Sequence, residues 1–357
     1  MKILHVITSL RTGGAEKLMV DLLPRLKANG LDIDLLLFDG TSTPFKQQAE
    51  RAGIKIYDLG TGGSVYSPRR LFKLLPFLRR YDIIHTHNTA PQLFAAAGSY
   101  FSSATLITTE HTTSNRRRKW RWYRWIDKWM YSRYKKVICI SEKAESNLRD
   151  HIGASGAEIV TINNGVDIAK YAKADSSKDL EMIAPGSKKI IMVAGFRWEK
   201  DQDTLIKSLQ HLSDDFHLFL VGDGVRRGEL EKLTQKLQLS TRVHFLGQRT
   251  DVPNLLHEAD YIVMSSHFEG LSLSSIEGMS VGKPFIASDV DGLREVVKDA
   301  GILFKHQDEK ELAEAILKLS HNKDIYKSTA DQCLTRALKY DITFMAQQYW
   351  QVYKNNY

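Results

Sequence analysis

Cysteine is scarce in this sequence: two in 357 residues, Cys139 and Cys333, with no CxxC pair. That excludes a disulfide-dense scaffold and a cysteine metal cluster. Cys139 sits inside an apolar run, Val137 to Ile140, and reads as a buried thiol. No apolar stretch approaches the ~18 residues of a membrane span. The first residues, Ile3-Leu4-His5-Val6-Ile7, read as a strand behind one lysine, too short and too structured for a secretory leader. A cytoplasmic protein is expected. Neither GxxxxGK[ST] nor GxGxxG occurs, so an ATP-type P-loop and the dinucleotide fingerprint fail on spacing. Pro24 and Pro76 fall inside helical patterns, which they should kink. Beyond Asp341 there is no acidic side chain.

What is present is alternation. Strand patterns over 3–7, 33–38, 54–59, 82–87, 106–109 and 137–141 are separated by helical patterns. The second half repeats this with strands over 189–194, 217–221, 243–246, 261–264, 284–288 and 301–304. Such alternation predicts an α/β chain with parallel, doubly wound sheets, and ligands outside the carboxyl ends of strands. His87, Glu110 and His111 fall at such ends. The length suits two domains, divided near residue 168, the second running to 335, with 336–357 as a C-terminal helix. The polar segment 173–187 reads as the linker. His85 and His87 have an i, i+2 spacing, but no third ligand stands nearby in sequence, and no metal is expected.

The most informative stretch is Phe268-Glu269-Gly270-Leu271-Ser272-Leu273-Ser274-Ser275-Ile276-Glu277. It follows the apolar run Tyr261 to Met264 and leads into a helical pattern from Ile276 to Val281. Gly270 permits a close turn beside a ligand. The N–H groups of Leu271 to Ser274 then form a seat for a phosphate. Two carboxylates flanking that seat suit a ligand with a diphosphate centre and hydroxyls at both ends. Glu277 would hold a ribose and Glu269 a sugar. The bland alternative is a capping Glu269 and a solvated Glu277.

From Asp260 to Val297 the chain resembles the nucleotide-sugar half of the family 4 glycosyltransferases. The pieces are Phe268-Glu269-Gly270, Glu277-Gly278-Met279, Gly282-Lys283-Pro284 and Gly292-Leu293-Arg294-Glu295. Two departures are Gly278, where alanine is usual, and Ser272, where glycine is common. The resemblance extends over nearly the whole chain. It implies the GT-B fold, two Rossmann-like domains facing a central cleft, and sugar transfer from a nucleoside diphosphate to a hydroxyl with retention. Front-face displacement assisted by the leaving phosphate is the implied mechanism, without cofactor or metal. It also implies that His111 and Glu269 face the transferred sugar. Gly13 and Gly14 would approach the donor. Lys200 and Arg197 would hold its diphosphate, and Gly247 and Arg249 would lie near the base. Gly270, Leu271, Ser272 and Glu277 complete the donor set. At Gly195 the family usually has an arginine; Arg197, two residues on, is the substitute.

The net charge is +8, and it is concentrated in residues 116–136. Arg116, Arg117, Arg118, Lys119 and Arg121 lead into Trp122, Trp125, Ile126, Trp129 and Met130 at helical spacing; four of the six tryptophans lie here. Three readings stay open. The stripe packs on the sheet with solvated cations, the segment meets an anionic membrane on the acceptor side, or it binds nucleic acid. The expected partners are a nucleotide-sugar, with UDP favoured over GDP, and a glycan or lipid-linked acceptor, at the inner face of a cytoplasmic membrane; nucleic acid is not expected. By resemblance the tail packs back on the first domain. Two other functions are compatible with these residues: a nucleotide-sugar epimerase on the same fold, or a non-catalytic polyanion-binding module.

Overall fold

The structure is a computed structural model and describes residues 1–11, 13–112, 120, 122–153, 156–175 and 177–356. Arg116, Arg117, Arg118, Lys119 and Arg121 lie outside the described residues. The chain forms two compact units: Met1–Gly165 together with Ile342–Tyr357, and Val166–Asp341.

The first unit is built on a seven-stranded parallel sheet of order β3-β2-β1-β4-β5-β6-β7. The strands are β1 Lys2–Ile7, β2 Asp32–Leu37, β3 Lys55–Asp58, β4 Ile83–His87, β5 Thr105–Glu110, β6 Lys136–Cys139 and β7 Glu158–Thr161. Both faces are covered, so the strands carry near-continuous apolar runs. Side chains alternate between two cores. Ile3 and Ile7 point to the core shared with the helices Gly14–Ala28 and Ile342–Asn355, and Leu4 and Val6 to the opposite one. The C-terminal helix is held by Ile342, Met345, Ala346, Tyr349, Val352 and Tyr353, all buried in the first of these cores. Gly165 allows its close approach: a Cβ there would lie 2.7 Å from Ile342 Cα.

The second unit has a six-stranded parallel sheet of order β10-β9-β8-β11-β12-β13. Its strands are β8 Lys188–Val193, β9 Phe216–Val221, β10 Val243–Gly247, β11 Tyr261–Met264, β12 Phe285–Ser288 and β13 Ile302–Phe304. The segment expected as linker belongs to this unit instead. Its short helix Asp179–Ile183 buries Leu180 in the core, and Glu258 accepts bonds from Ser177 Oγ and Glu181 N, each 2.7 Å. Composition misled there because few apolar residues were needed to anchor a five-residue helix.

The tryptophan stripe is not a core stripe. In the helix Tyr123–Ser132 the buried residues are Asp127, Met130 and Tyr131, whereas Trp122 and Trp125 are 60% and 75% exposed. Hydrogen bonding decides which face turns inward. Asp127 pairs with His151 at 2.8 Å, the Tyr131 hydroxyl donates to Glu110, and Tyr134, just past the helix, donates to Gln92 O at 2.8 Å. Neither proline breaks its helix: Pro24 and Pro76 lie within Gly14–Ala28 and Pro68–Leu78.

Gly278 shows why alanine is absent. A Cβ there would lie 2.7 Å from Phe285 Cε2 and 2.9 Å from Ile262 Cγ2. The usual gain of about 1 kcal/mol on replacing a helical glycine by alanine meets overpacking that costs roughly 1–3 kcal/mol. Gly278→Ala is therefore expected to lower stability in urea titrations; a stabilised variant would contradict this packing.

Candidate active site

In the second unit the chain runs outward from β8 through β9 to β10, then returns to the other side of β8 with β11. The carboxyl ends of β8 and β11 thus flank the point where strand order reverses, the place where open α/β sheets bind ligands. The loop after β8 carries Arg197 and Lys200, and the loop after β11 carries Glu269 and Gly270. They meet: Lys200 Nζ lies 2.5 Å from Glu269 Oε1, and Ser266 Oγ donates to the same oxygen at 2.7 Å. Residues far apart in sequence are brought together by strand order alone.

Around this pair the backbone is tightly determined. Glu269 N–H donates to Asp291 O at 3.2 Å. Gly292 has φ +82 and no room for a side chain, because a Cβ would collide with the Glu269 and Gly270 carbonyls. The next helix starts at Leu273 rather than Ile276, capped by Ser272, whose side chain accepts from Ser275 N at 3.4 Å. That gives Ser272 a purpose glycine could not serve. Among the described residues, the backbone N–H groups of Gly270 to Ser274 donate to no protein oxygen. Glu277, on this helix, is buried rather than solvated.

Arg197 turns back. A Cβ on Gly195 would lie 3.4 Å from Arg197 Nε and 3.7 Å from its Nη2, so the guanidinium occupies the space beside Gly195. The Gly195-Phe196 loop is pinned by Phe196 N to Asp223 O at 3.0 Å and Arg226 N to Phe196 O at 3.1 Å. Gly247 O accepts from Gly222 N at 2.8 Å, joining the β9 and β10 loop ends. The Arg249 guanidinium is committed elsewhere, to Asp179 at 2.5 Å and Asp251 at 2.6 Å, which leaves its backbone for any base contact.

The first unit has the same architecture, with its order reversing between β1 and β4. Gly13 and Gly14 follow β1, the former as the extended residue before the helix Gly14–Ala28. The Glu16 carboxyl lies against Gly13, and burial raises its pKa. His87 ends β4 and its Nδ1 lies 2.8 Å from Nε2 of half-buried His111, just past β5. Burial pushes His111 down to about 4, against the opposing pull of Glu110. Among the described residues, none of the carboxylates is hydrogen-bonded to a histidine in this group.

Two groups could offer three metal ligands among the described residues. His5, on β1, is the third histidine that sequence proximity could not reveal; it neighbours His85 and His87. Their rings are within 9–23° of parallel, so their in-plane lone pairs do not converge on one tetrahedral centre. Asp201, His267 and His306 form the other group. There His267 Nδ1 is already 2.8 Å from His306 Nε2, and Asp201 Oδ2 accepts from the Thr204 hydroxyl at 2.7 Å. Both sets are spent on internal hydrogen bonds.

Residues 12–170 match the family described as Glycosyltransferase Family 4, and residues 175–335 match that described as Glycosyl transferases group 1. The chain belongs to the family 4 glycosyltransferases. It is 24% identical over 345 residues, 90% of this chain and 89% of the relative, to the Escherichia coli UDP-Gal:alpha-D-GlcNAc-diphosphoundecaprenol alpha-1,3-galactosyltransferase. It is 26% identical over 354 residues, 94% of each chain, to a Campylobacter jejuni N-acetylgalactosamine-N,N'-diacetylbacillosaminyl-diphospho-undecaprenol 4-alpha-N-acetylgalactosaminyltransferase. Anabaena HepE, solved in complex with UDP-glucose, superposes with a TM-score of 0.86 at 22% identity, covering 99% of this chain and 100% of that one. The fold is GT-B. In this family 4 chain, Ser266 and His5 are site neighbours that no local sequence pattern marks. Ser266 lies two residues before Phe268, and His5 is an ordinary strand residue until β1 pairs with β4.

Burial lowers His5 to about 3 from 6.5, and lowers His85 and His87 well below that value. Below about pH 6.5 the unfolded chain takes up protons that the folded one refuses. Stability is then full above 6.5 and falls with acid, by up to about 1.4 kcal/mol per pH unit for each histidine. The thermal midpoint at pH 5.5 is expected below that at pH 7.5; equal midpoints would contradict neutral burial.

Proposed function

We propose that this chain transfers a sugar from a nucleoside diphosphate, a UDP-sugar favoured over a GDP-sugar, to a hydroxyl of a lipid-linked or polysaccharide precursor, with retention and without a metal. The Lys200–Glu269 contact at the switch point carries the reading, because it sets a cation and a carboxylate beside unengaged backbone N–H groups. Lys200 and Arg197 neutralise the leaving diphosphate. The N–H groups of Gly270 to Ser274 receive its oxygens. Glu277 holds the ribose. Glu269 and His111 face the sugar, Gly13 and Gly14 allow close backbone approach, and Gly247 with the Arg249 backbone borders the base. The anomeric carbon–oxygen bond breaks with its electron pair going to the β-phosphate. The acceptor oxygen bonds to carbon from the same face, and its proton passes to that phosphate. The UDP named for HepE and the E. coli relative supports the base, and the diphosphoundecaprenol acceptors of the two named relatives support the acceptor class.

We place the acceptor at an anionic membrane surface. Trp120, Trp122, Trp125 and Tyr100 are each more than half exposed, with Lys128 over Trp125 and Arg133 over Tyr100. Exposed tryptophans beside cations suit the headgroup boundary.

A panel of UDP-, GDP- and ADP-sugars is expected to yield one nucleotide that raises the thermal midpoint, with diphosphate release unaffected by EDTA. Lys200→Ala is expected to lower kcat for that donor by ~10²-fold. No midpoint shift with any nucleotide would remove the diphosphate seat. Trp122→Ala/Trp125→Ala is expected to lose co-sedimentation with vesicles containing anionic lipid while keeping donor release; unchanged sedimentation would remove the membrane surface.

A further inference from the structure

Seven buried or half-buried groups in the first unit form one unbroken line. Tyr349 OH lies 3.1 Å from Thr109 Oγ1, which lies 2.8 Å from His85 Nε2. His85 Nδ1 lies 2.7 Å from Tyr353 OH, which lies 3.1 Å from His5 Nε2. His5 Nδ1 lies 3.0 Å from His87 Nε2, and His87 Nδ1 lies 2.8 Å from His111 Nε2. The strands supply these groups by register: His5 pairs with His85 across β1 and β4, and His87 with Thr109 across β4 and β5. The two tyrosines come from the C-terminal helix, one turn apart.

Proton counting restricts this line. Each neutral group carries one N–H or O–H, so seven protons serve six links. One proton is left over. A neutral imidazole with both nitrogens engaged cannot keep it, so it stands on His111 or on one of the three hydroxyls, whose oxygens can accept twice. Either all bonds run towards His111, whose Nδ1 then carries the spare N–H, or they converge on Tyr349, Thr109 or Tyr353, whose hydroxyl hydrogen then has no acceptor in the line. Thr109 is the hydrogen-bond partner of the fully buried Tyr349 hydroxyl among the described residues. The Thr109 and Tyr353 hydroxyls are buried as well, and among the described residues they have no hydrogen-bond partner outside the line. A buried donor without an acceptor is costly, so the first direction prevails. Burial keeps the inner imidazoles uncharged, as the count requires.

We propose that the line Tyr349–Thr109–His85–Tyr353–His5–His87 is a one-directional hydrogen-bond relay that fixes His111 as the Nδ1–H tautomer. His111 is then a hydrogen-bond donor at Nδ1 and not a base. The oxygen it addresses is a hydroxyl or ring oxygen of the transferred sugar, a step that rests on the reading of His111 given above. His87, His5 and Tyr353 are positioning residues. The C-terminal helix thereby sets the chemistry of a residue that it does not touch through these bonds.

The test is the two-bond proton–nitrogen spectrum of the full chain labelled with ¹⁵N-histidine, with the His111 signal assigned by its loss in His111→Gln. Isolated neutral imidazoles favour Nε2–H, so the expected Nδ1–H, in excess of ~10 to 1, is diagnostic. Tyr353→Phe keeps the ring but removes the donor to His5. Although it acts three links away, it should bring the His111 tautomer ratio to within about threefold of unity, and Thr109→Val should do the same. Tyr349→Phe, which leaves Thr109 free to donate, should not. Transfer by Tyr353→Phe should lose kcat about three- to tenfold with donor KM unchanged. Nε2–H in the wild type, or no change of tautomer in both Tyr353→Phe and Thr109→Val, would overturn the relay. Nδ1–H and its loss in Tyr353→Phe, with no glycosyl transfer at all, would uphold the relay and overturn the sugar-contact reading instead.

Discussion

The Lys200–Glu269 contact is the interaction on which the account of the second unit depends. It exists because β8 and β11 are adjacent in a parallel sheet whose order reverses between them. The two loops therefore leave the same edge side by side, and opposite charges on them meet at 2.5 Å. Everything nearby serves to hold those loops. Gly292 lets the β12 loop press on Glu269 and Gly270, Ser272 caps the following helix, and Asp223 O accepts from Phe196 N in the loop that leads to Arg197. In the proposed reaction a diphosphate competes with Glu269 for Lys200, so the same contact marks where the donor charge goes.

The first unit solves a different problem. A polar line through a sheet core is tolerated only when every member is satisfied, and each ring nitrogen of His5, His85 and His87 has a partner. The tyrosines that complete it come from the far end of the chain. This ties the C-terminal helix to β1, β4 and β5 by hydrogen bonds as well as by apolar packing.

Strand and helix alternation was legible in the sequence because parallel strands buried on both faces leave plain apolar runs. The motif residues of the second unit were legible because loop chemistry there is local: a glycine turn, a capping serine, a carboxylate. What could not be read depends on pairing between distant segments. His5 joins His85 and His87 only once β1 and β4 are neighbours. Arg197 beside Gly195 depends on a side-chain direction. The tryptophan stripe had the right period for burial, but Asp127, Tyr131 and Tyr134 had hydrogen-bond partners inside and took that face. The segment 173–187 looked like a linker because its composition hides the one leucine that anchors it. Gly278 looked like a defect until Phe285 and Ile262 were seen to fill the space of a methyl group.

In the proposed reaction the diphosphate of the donor sits on Lys200 and the N–H groups of Gly270 to Ser274. A crystal structure of the chain with an unreactive UDP-sugar tests it most directly. The Lys200 ammonium is expected within hydrogen-bond distance of a phosphate oxygen, with phosphate oxygens on the backbone after Glu269 and Glu269 turned from Lys200 to the sugar hydroxyls. A nucleotide bound elsewhere, with the Lys200–Glu269 contact intact, would contradict it.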